Sequence, residues 1–110
     1  MTPALEESYG AWIGGAFVHG PAAQRFAATN PATGAHLAWV ARGGAAEVDA
    51  AVQAAQQALP GWRATQYEER SALLNRLADA LERDLERLAT IDAMDIGRRL
   101  GETRIDWQIA

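Results

Sequence analysis

Side chains able to do chemistry are numerous in this chain, but few stand in a pattern that chemistry requires. Carboxylates occur at Glu47, Asp49, Glu68, Glu69, Asp79, Glu82, Asp84 and Glu86, and a suitably spaced pair could act as general acid and base. Their spacing sets them among Arg76, Arg83 and Arg87 at helical intervals instead, which is the pattern of solvated faces with i,i+4 charge support. His19 and His36 lie far from any patterned Cys, His or carboxylate set and read as surface or turn histidines. Cysteine and lysine are both absent. That removes disulfides, thiolate metal ligands, thiol nucleophiles and Schiff-base amines together. With no nucleophile and base, no metal set and no phosphate loop, the chain by itself is predicted to be catalytically inactive. Trp12, Trp39, Trp62 and Trp107 could line a ligand box, but they suit packing in a core or between domains better.

The elements that would position these groups follow from local pattern. Residues 1–8 carry no period and are expected to form a flexible arm. Trp12-Ile13 and Phe17-Val18 flank Gly14-Gly15, and such a glycine pair supplies the positive φ values of a two-residue hairpin turn. A second hairpin is expected from Arg25 to Thr29 through the Asn30-Pro31 turn to His36 to Val40, where Leu37 and Trp39 alternate with smaller residues. Gly43-Gly44 closes it. From Ala45 the period changes to about 3.6, with Val48, Val52, Ala55 and Leu59 on one helical face, and Pro60-Gly61 is expected to end that helix. Thr65 and Glu68 form a sequence-level capping box for the next helix. Its apolar stripe runs through Leu73, Leu74, Leu77, Leu81, Leu85, Leu88, Ile91 and Ile96, with a break expected near Asp84, and Gly97 suits its left-handed end. Glu102 to Ala110 reads as a last helix with no terminating signal, as if the chain stopped inside an element.

The 110 residues allow one ordinary domain. The hydrophobic fraction is 49%, but much of it is alanine, so the core is expected to be thin. Net charge is −4 and the basic residues are scattered, which argues against nucleic acid as a partner. No apolar run approaches the ~18 residues of a membrane span and no signal peptide is visible, so a cytoplasmic protein is expected. All ten basic residues are arginine, which fits a GC-rich, bacterial genome.

Five motifs, in order, resemble one family. They are Trp12-Ile13-Gly14-Gly15-Ala16-Phe17-Val18, Asn30-Pro31-Ala32-Thr33-Gly34, Gly61-Trp62, Glu69-Arg70 before the leucine-rich helix, and Asp95-Ile96-Gly97-Arg98. From about Tyr9 to Ala110 the chain resembles the N-terminal part of an NAD(P)-dependent aldehyde dehydrogenase.

The resemblance implies an α/β parent fold with a Rossmann-type nucleotide-binding domain. The chain alone reads as α+β, two N-terminal β-hairpins followed by amphipathic helices. Residues 1–110 would be the N-terminal part of the nucleotide-binding domain, apparently incomplete. The implied activity is oxidation of an aldehyde to a carboxylic acid with NAD or NADP, starting from a cysteine thiolate this chain lacks. The family's general-base glutamate, oxyanion asparagine and nucleotide-binding turn lie downstream of the matched region, so no catalytic or cofactor-binding residue carries over. The implied partners are the remainder of the aldehyde dehydrogenase fold and further copies, as a dimer or tetramer. One site does carry over: a monovalent cation, K+ or Na+, held by the backbone carbonyls of Ala28 and Thr29 and the carboxylate of Asp95. Arg98 stands where the family usually has lysine, which keeps the charge but changes donor geometry. The alternative function is a small noncatalytic helical interaction module built on the Leu73–Ile96 stripe.

Overall fold

A computed structural model describes residues 2–109. Their backbone divides into two compact units, one of residues 6–28 and 37–65 and the other of residues 2–5, 29–36 and 66–109.

The sheet-bearing unit begins with strand β1 (Ser8–Tyr9), then β2 (Ala11–Ile13) and β3 (Ala16–Val18). β2 and β3 pair antiparallel, with Ala11 opposite Val18, Trp12 opposite Phe17 and Ile13 opposite Ala16. Gly14 and Gly15 turn the hairpin at φ 61° and 84°, as the sequence led us to expect. A short 3-10 turn (Ala22–Gln24) leads into β4 (Arg25–Thr29), and β5 (His36–Ala41) returns beside it. The Asn30 N–H bonds the Ala35 carbonyl at one end of this pair and the Arg42 N–H bonds the Gln24 carbonyl at the other, so the two strands run antiparallel.

β1 adds to the free side of β5 in parallel, Ser8 beside Trp39 and Tyr9 beside Val40. The Trp39 N–H also bonds the Glu7 carbonyl at 3.0 Å. The expected arm over residues 1–8 is therefore corrected at its end, because Glu7 and Ser8 are tied to a strand; Met1 lies outside the described residues. A two-residue strand is too short to show a period, which is why the pattern missed it. The alternation expected in β5 is shifted too: Ala38 is buried and Trp39 is 42% exposed.

Helix α1 (Ala45–Ala64) follows. It runs through Pro60 rather than ending there. Proline removes one i→i−4 bond and crowds the carbonyl four residues back, and so close to the helix end that cost does not prevent one more turn. The face turned toward the first hairpin is alanine rather than the valine–leucine stripe. A Cβ added at Gly14 would touch the Ala54 Cβ at 3.9 Å, and Ala51 and Ala54 are half-buried. Small side chains let the glycine turn approach closely. Val48, Val52 and Leu59 remain 60%, 51% and 46% exposed, and no residue of α1 is buried.

The helical unit carries α2 (Tyr67–Ile96) and α3 (Leu100–Ile109). α2 starts after Gln66, one residue beyond the expected cap at Thr65, and the Thr65 hydroxyl donates to the Trp62 carbonyl at 2.7 Å, closing α1. The break expected at Asp84 does not occur. Asp84 stays in the helix with Arg83 Nε 3.4 Å from its carboxylate, and a carboxylate can solvate outward without ending a helix that packing continues. α2 ends where expected, at Gly97, with φ 74° and its N–H on the Ala93 carbonyl. α3 starts at Leu100, two residues before the sequence suggested; Ala110 lies outside the described residues. Ala89 of α2 and Thr103 of α3 are fully buried.

Candidate functional site

The best-built local arrangement lies in the helical unit, where the Asn-Pro turn meets the end of α2. Asn30 organises the turn with both its backbone and its side chain. Its carbonyl accepts from Gly34 N–H at 2.7 Å, and its Oδ1 accepts from Ala32 N–H at 2.9 Å. The Thr33 hydroxyl accepts from Ala35 N–H at 3.2 Å. Gly34, at φ 72°, supplies the left-handed step that lets the chain reverse. The turn then rests against Gly97: a Cβ there would lie 2.7 Å from Pro31 Cγ. Glycine at this position is required twice, by its positive φ and by the proline ring. A shallow cavity of about 220 Å³ opens beside this contact, lined by Asn30, Ala32, Thr90, Met94, Gly97 and Arg98 among others.

Arg98 is held by carboxylates of α3 rather than pointing at the turn. Asp106 accepts a hydrogen bond from Arg98 Nη1, and Glu102 lies 3.6 Å from its Nε. The hydrogen bond to Asp106 is the first cause that raises the guanidinium's pKa, with the charges of Asp106 and Glu102 adding to it. Arg104 makes a two-pronged pair with Glu86, Nε to Oε1 at 2.9 Å and Nη2 to Oε2 at 2.7 Å. Here too the raised guanidinium pKa comes first from the hydrogen bond and then from the charge. Between these pairs the buried Thr103 hydroxyl donates toward two carbonyls, Ala89 at 2.9 Å and Leu100 at 3.0 Å.

Of the residues proposed for a cation, Thr29 and Asp95 belong to this unit and Ala28 to the other. Asp95 is exposed and has no ion-pair partner among the described residues, Arg98 being engaged elsewhere. Among the described residues no three His, Cys, Asp or Glu side chains are grouped to hold a metal. His19 is bonded to Ser8, its Nδ1 3.2 Å from Oγ. Trp12 packs edge to face on Phe17, with ring centroids 4.8 Å apart, and is 64% exposed; Trp39 and Trp62 are 42% and 46% exposed and Trp107 is half-buried, so none of the four is fully buried.

In the other unit, the strand–glycine–helix step from β5 through Gly43-Gly44 into α1 is a place where a phosphate could be sought. It is already filled. Glu47 Oε2 accepts the Gly44 N–H at 2.8 Å, and this bond lowers the Glu47 pKa. A carboxylate at the helix N-terminus would repel a phosphate, so this turn does not fit a dinucleotide. The charge pattern of the sequence sets Glu47 on a solvated helix face and misses this cap; its position three residues after Gly44 is the signal that marks it. Thr103 carries no such signal, because nothing local marks a threonine whose partner lies 14 residues away.

Residues 17–110 match the model of the aldehyde dehydrogenase family. The chain belongs to that family. It is 39% identical to an aldehyde dehydrogenase of Paracoccus denitrificans over 99 residues, 90% of this chain and 20% of the relative. It is 39% identical to acetaldehyde dehydrogenase 2 of Cupriavidus necator over 98 residues, 89% of this chain and 19% of that protein. Among solved structures it resembles HpcC of Thermus thermophilus, with a TM-score of 0.83 at 35% identity, over 87% of this chain and 19% of that one. The chain thus spans about a fifth of the length of these relatives and corresponds to an N-terminal segment of a larger aldehyde dehydrogenase fold. The α+β order of strands followed by helices is that of the segment.

Proposed function

We propose that this chain is the N-terminal part of the nucleotide-binding domain of an enzyme that oxidises an aldehyde to a carboxylic acid with NAD or NADP. The observation that carries this reading is a family match over residues 17–110 to relatives of which the chain spans only about 20%. Its role is to frame the fold. The reacting thiolate, the general base and the dinucleotide site come from the remainder of the protein, and the segment alone is inactive. The apolar side chains standing in solvent, Val48, Val52 and Leu59 on α1 and Ile105 and Ile109 on α3, support the need for such a remainder. The whole protein is a cytoplasmic bacterial dimer or tetramer in this reading, with no nucleic acid or membrane partner. In this reading a K+ or Na+ ion is held by the Ala28 and Thr29 carbonyls and the Asp95 carboxylate, which has no ion-pair partner among the described residues; hard oxygen donors with a single charge suit a weakly bound monovalent ion.

The test is aldehyde-dependent formation of NADH or NADPH by the chain alone and by the same chain joined to its downstream coding sequence. Turnover is expected only from the longer protein, and turnover by the chain alone would sink the proposal. A second reading, a noncatalytic helical interaction module, is favoured by the exposure of Leu74 and Leu77 on α2. It requires that the coding sequence stop at once and that the chain associate through this face.

A further inference from the structure

We propose that the cavity beside the first hairpin, bounded by Glu6, Tyr9, Phe17 and His19, binds small organic ammonium cations, quaternary ammonium above all. The site is independent of aldehyde oxidation and lies wholly within the unit that holds the sheet. The cavity measures about 240 Å³, and Ser8 and Gly10 complete its lining. Three of its six lining residues carry aromatic rings and one is a carboxylate. Aromatic faces are negative and attract a cation whose charge is spread over methyl groups, and a nearby carboxylate adds a direct Coulomb attraction. The same lining disfavours anions.

The rings are held in place before any ligand arrives. Trp12 meets Phe17 edge to face, with centroids 4.8 Å apart and planes at 78°. The Tyr9 phenol oxygen accepts the Glu6 N–H at 3.0 Å, and the Ser8 hydroxyl bonds His19 Nδ1. The rings of Phe17 and His19 lie 6.1 Å apart and tilted by 41°. Gly10 lets the chain pass close to the hairpin backbone beside the cavity, since a Cβ there would sit 2.6 Å from the Val18 carbonyl oxygen. No arginine lines the cavity, and no ion pair among the described residues occupies the Glu6 carboxylate. Preformed rings cost little entropy on binding, which lets a small site retain a weak ligand.

The experiment compares choline with 3,3-dimethylbutan-1-ol, which has the same shape without the charge. Both are titrated into the full chain in mildly alkaline buffer, and the Tyr9 and Phe17 ring signals are followed by NMR. Saturable shifts are expected from choline, with affinity about two- to fivefold above that of the alcohol, as an exposed cation–π contact provides. Phe17→Leu and Glu6→Gln should each reduce the choline affinity and leave the alcohol unchanged, and Phe17→Tyr should restore it. Equal affinity for the two probes, or shifts that never saturate, would overturn the proposal. The two-probe comparison on the unaltered chain decides the matter even where a variant fails to fold.

Discussion

In the unit that holds α2 and α3, Ala89 is completely covered, and the buried Thr103 hydroxyl bonds its carbonyl. The Asn-Pro turn sits on Gly97, and Arg104 grips Glu86 across the helix pair. In the unit that holds the sheet and α1, Ala38 is the one buried hydrophobic residue among those described, and α1 covers alanines while presenting valine and leucine to solvent. The helical unit closes its joints with specific, directional contacts. In the sheet-bearing unit Val48, Val52 and Leu59 of α1 stand in solvent, and the helical unit leaves Leu74, Leu77, Ile105 and Ile109 uncovered in the same way. Local pattern suffices to form elements, but apolar area stabilises them only when something removes it from water. A segment spanning a fifth of its relatives can therefore close specific joints in one unit and still leave apolar faces open in both.

This contrast can be broken most directly at Gly97. Replacing it with valine forces an L residue into the left-handed region and drives a side chain into Pro31, and about 3 kcal/mol of stability should be lost in urea unfolding. Gly34→Ala is the control. It has a similar φ with nothing nearby, and should cost only about 1 kcal/mol. If the two cost the same, the turn does not rest on α2. Thr103→Val comes next: it keeps the shape and removes the hydroxyl's bonds to the Ala89 and Leu100 carbonyls, for a loss of about 1 kcal/mol. Hydrogen exchange should then quicken in α3, and unchanged protection there would show the bond to be idle.

The uncovered face of α1 gives a smaller and opposite test. Val52→Gln with Leu59→Gln should change the stability of the isolated chain by no more than about 0.5 kcal/mol while reducing its self-association in sedimentation. In a protein carrying the rest of the fold the same pair should be clearly destabilising. Equal, large losses in both settings would mean α1 is already covered within this segment.

The smallest effect is at Glu47. Its carboxyl is held below the usual range by the Gly44 N–H, so its stabilising contribution is present above the ordinary carboxylate pKa and lost as pH falls through the lowered value. Melting temperature followed on acidification should show a slightly weaker decline in Glu47→Gln. An unchanged pH profile would mean the cap contributes nothing.

Much of the fold could be read from the residues. Gly14-Gly15, Asn30-Pro31 and Gly97 declared their turns and ends, because φ preferences act within a few residues. The helical periods of α1 and α2 declared the helices for the same reason. The proposal of Asp95 and the adjacent carbonyls of Ala28 and Thr29 as cation donors rests on family resemblance alone, since carbonyl ligands leave no mark on residue type. What sequence misjudged was partnership. Thr65 was read as the start of α2 and its hydroxyl closes α1; Asp84 was read as a break and the helix passes through it; Pro60 was read as a stop and one further turn follows.

By itself, then, the sequence determined the order of strands and helices, the places where the chain must turn, the absence of a thiol nucleophile, and the family motifs. The tertiary structure alone decided that Ser8 and Tyr9 would join β5, that alanine rather than valine would face the hairpin, and that Thr103 would be buried against Ala89. The physical reason is range. Backbone preference and periodicity are properties of neighbours along the chain, whereas burial depends on which distant surface arrives, and no residue carries that information alone.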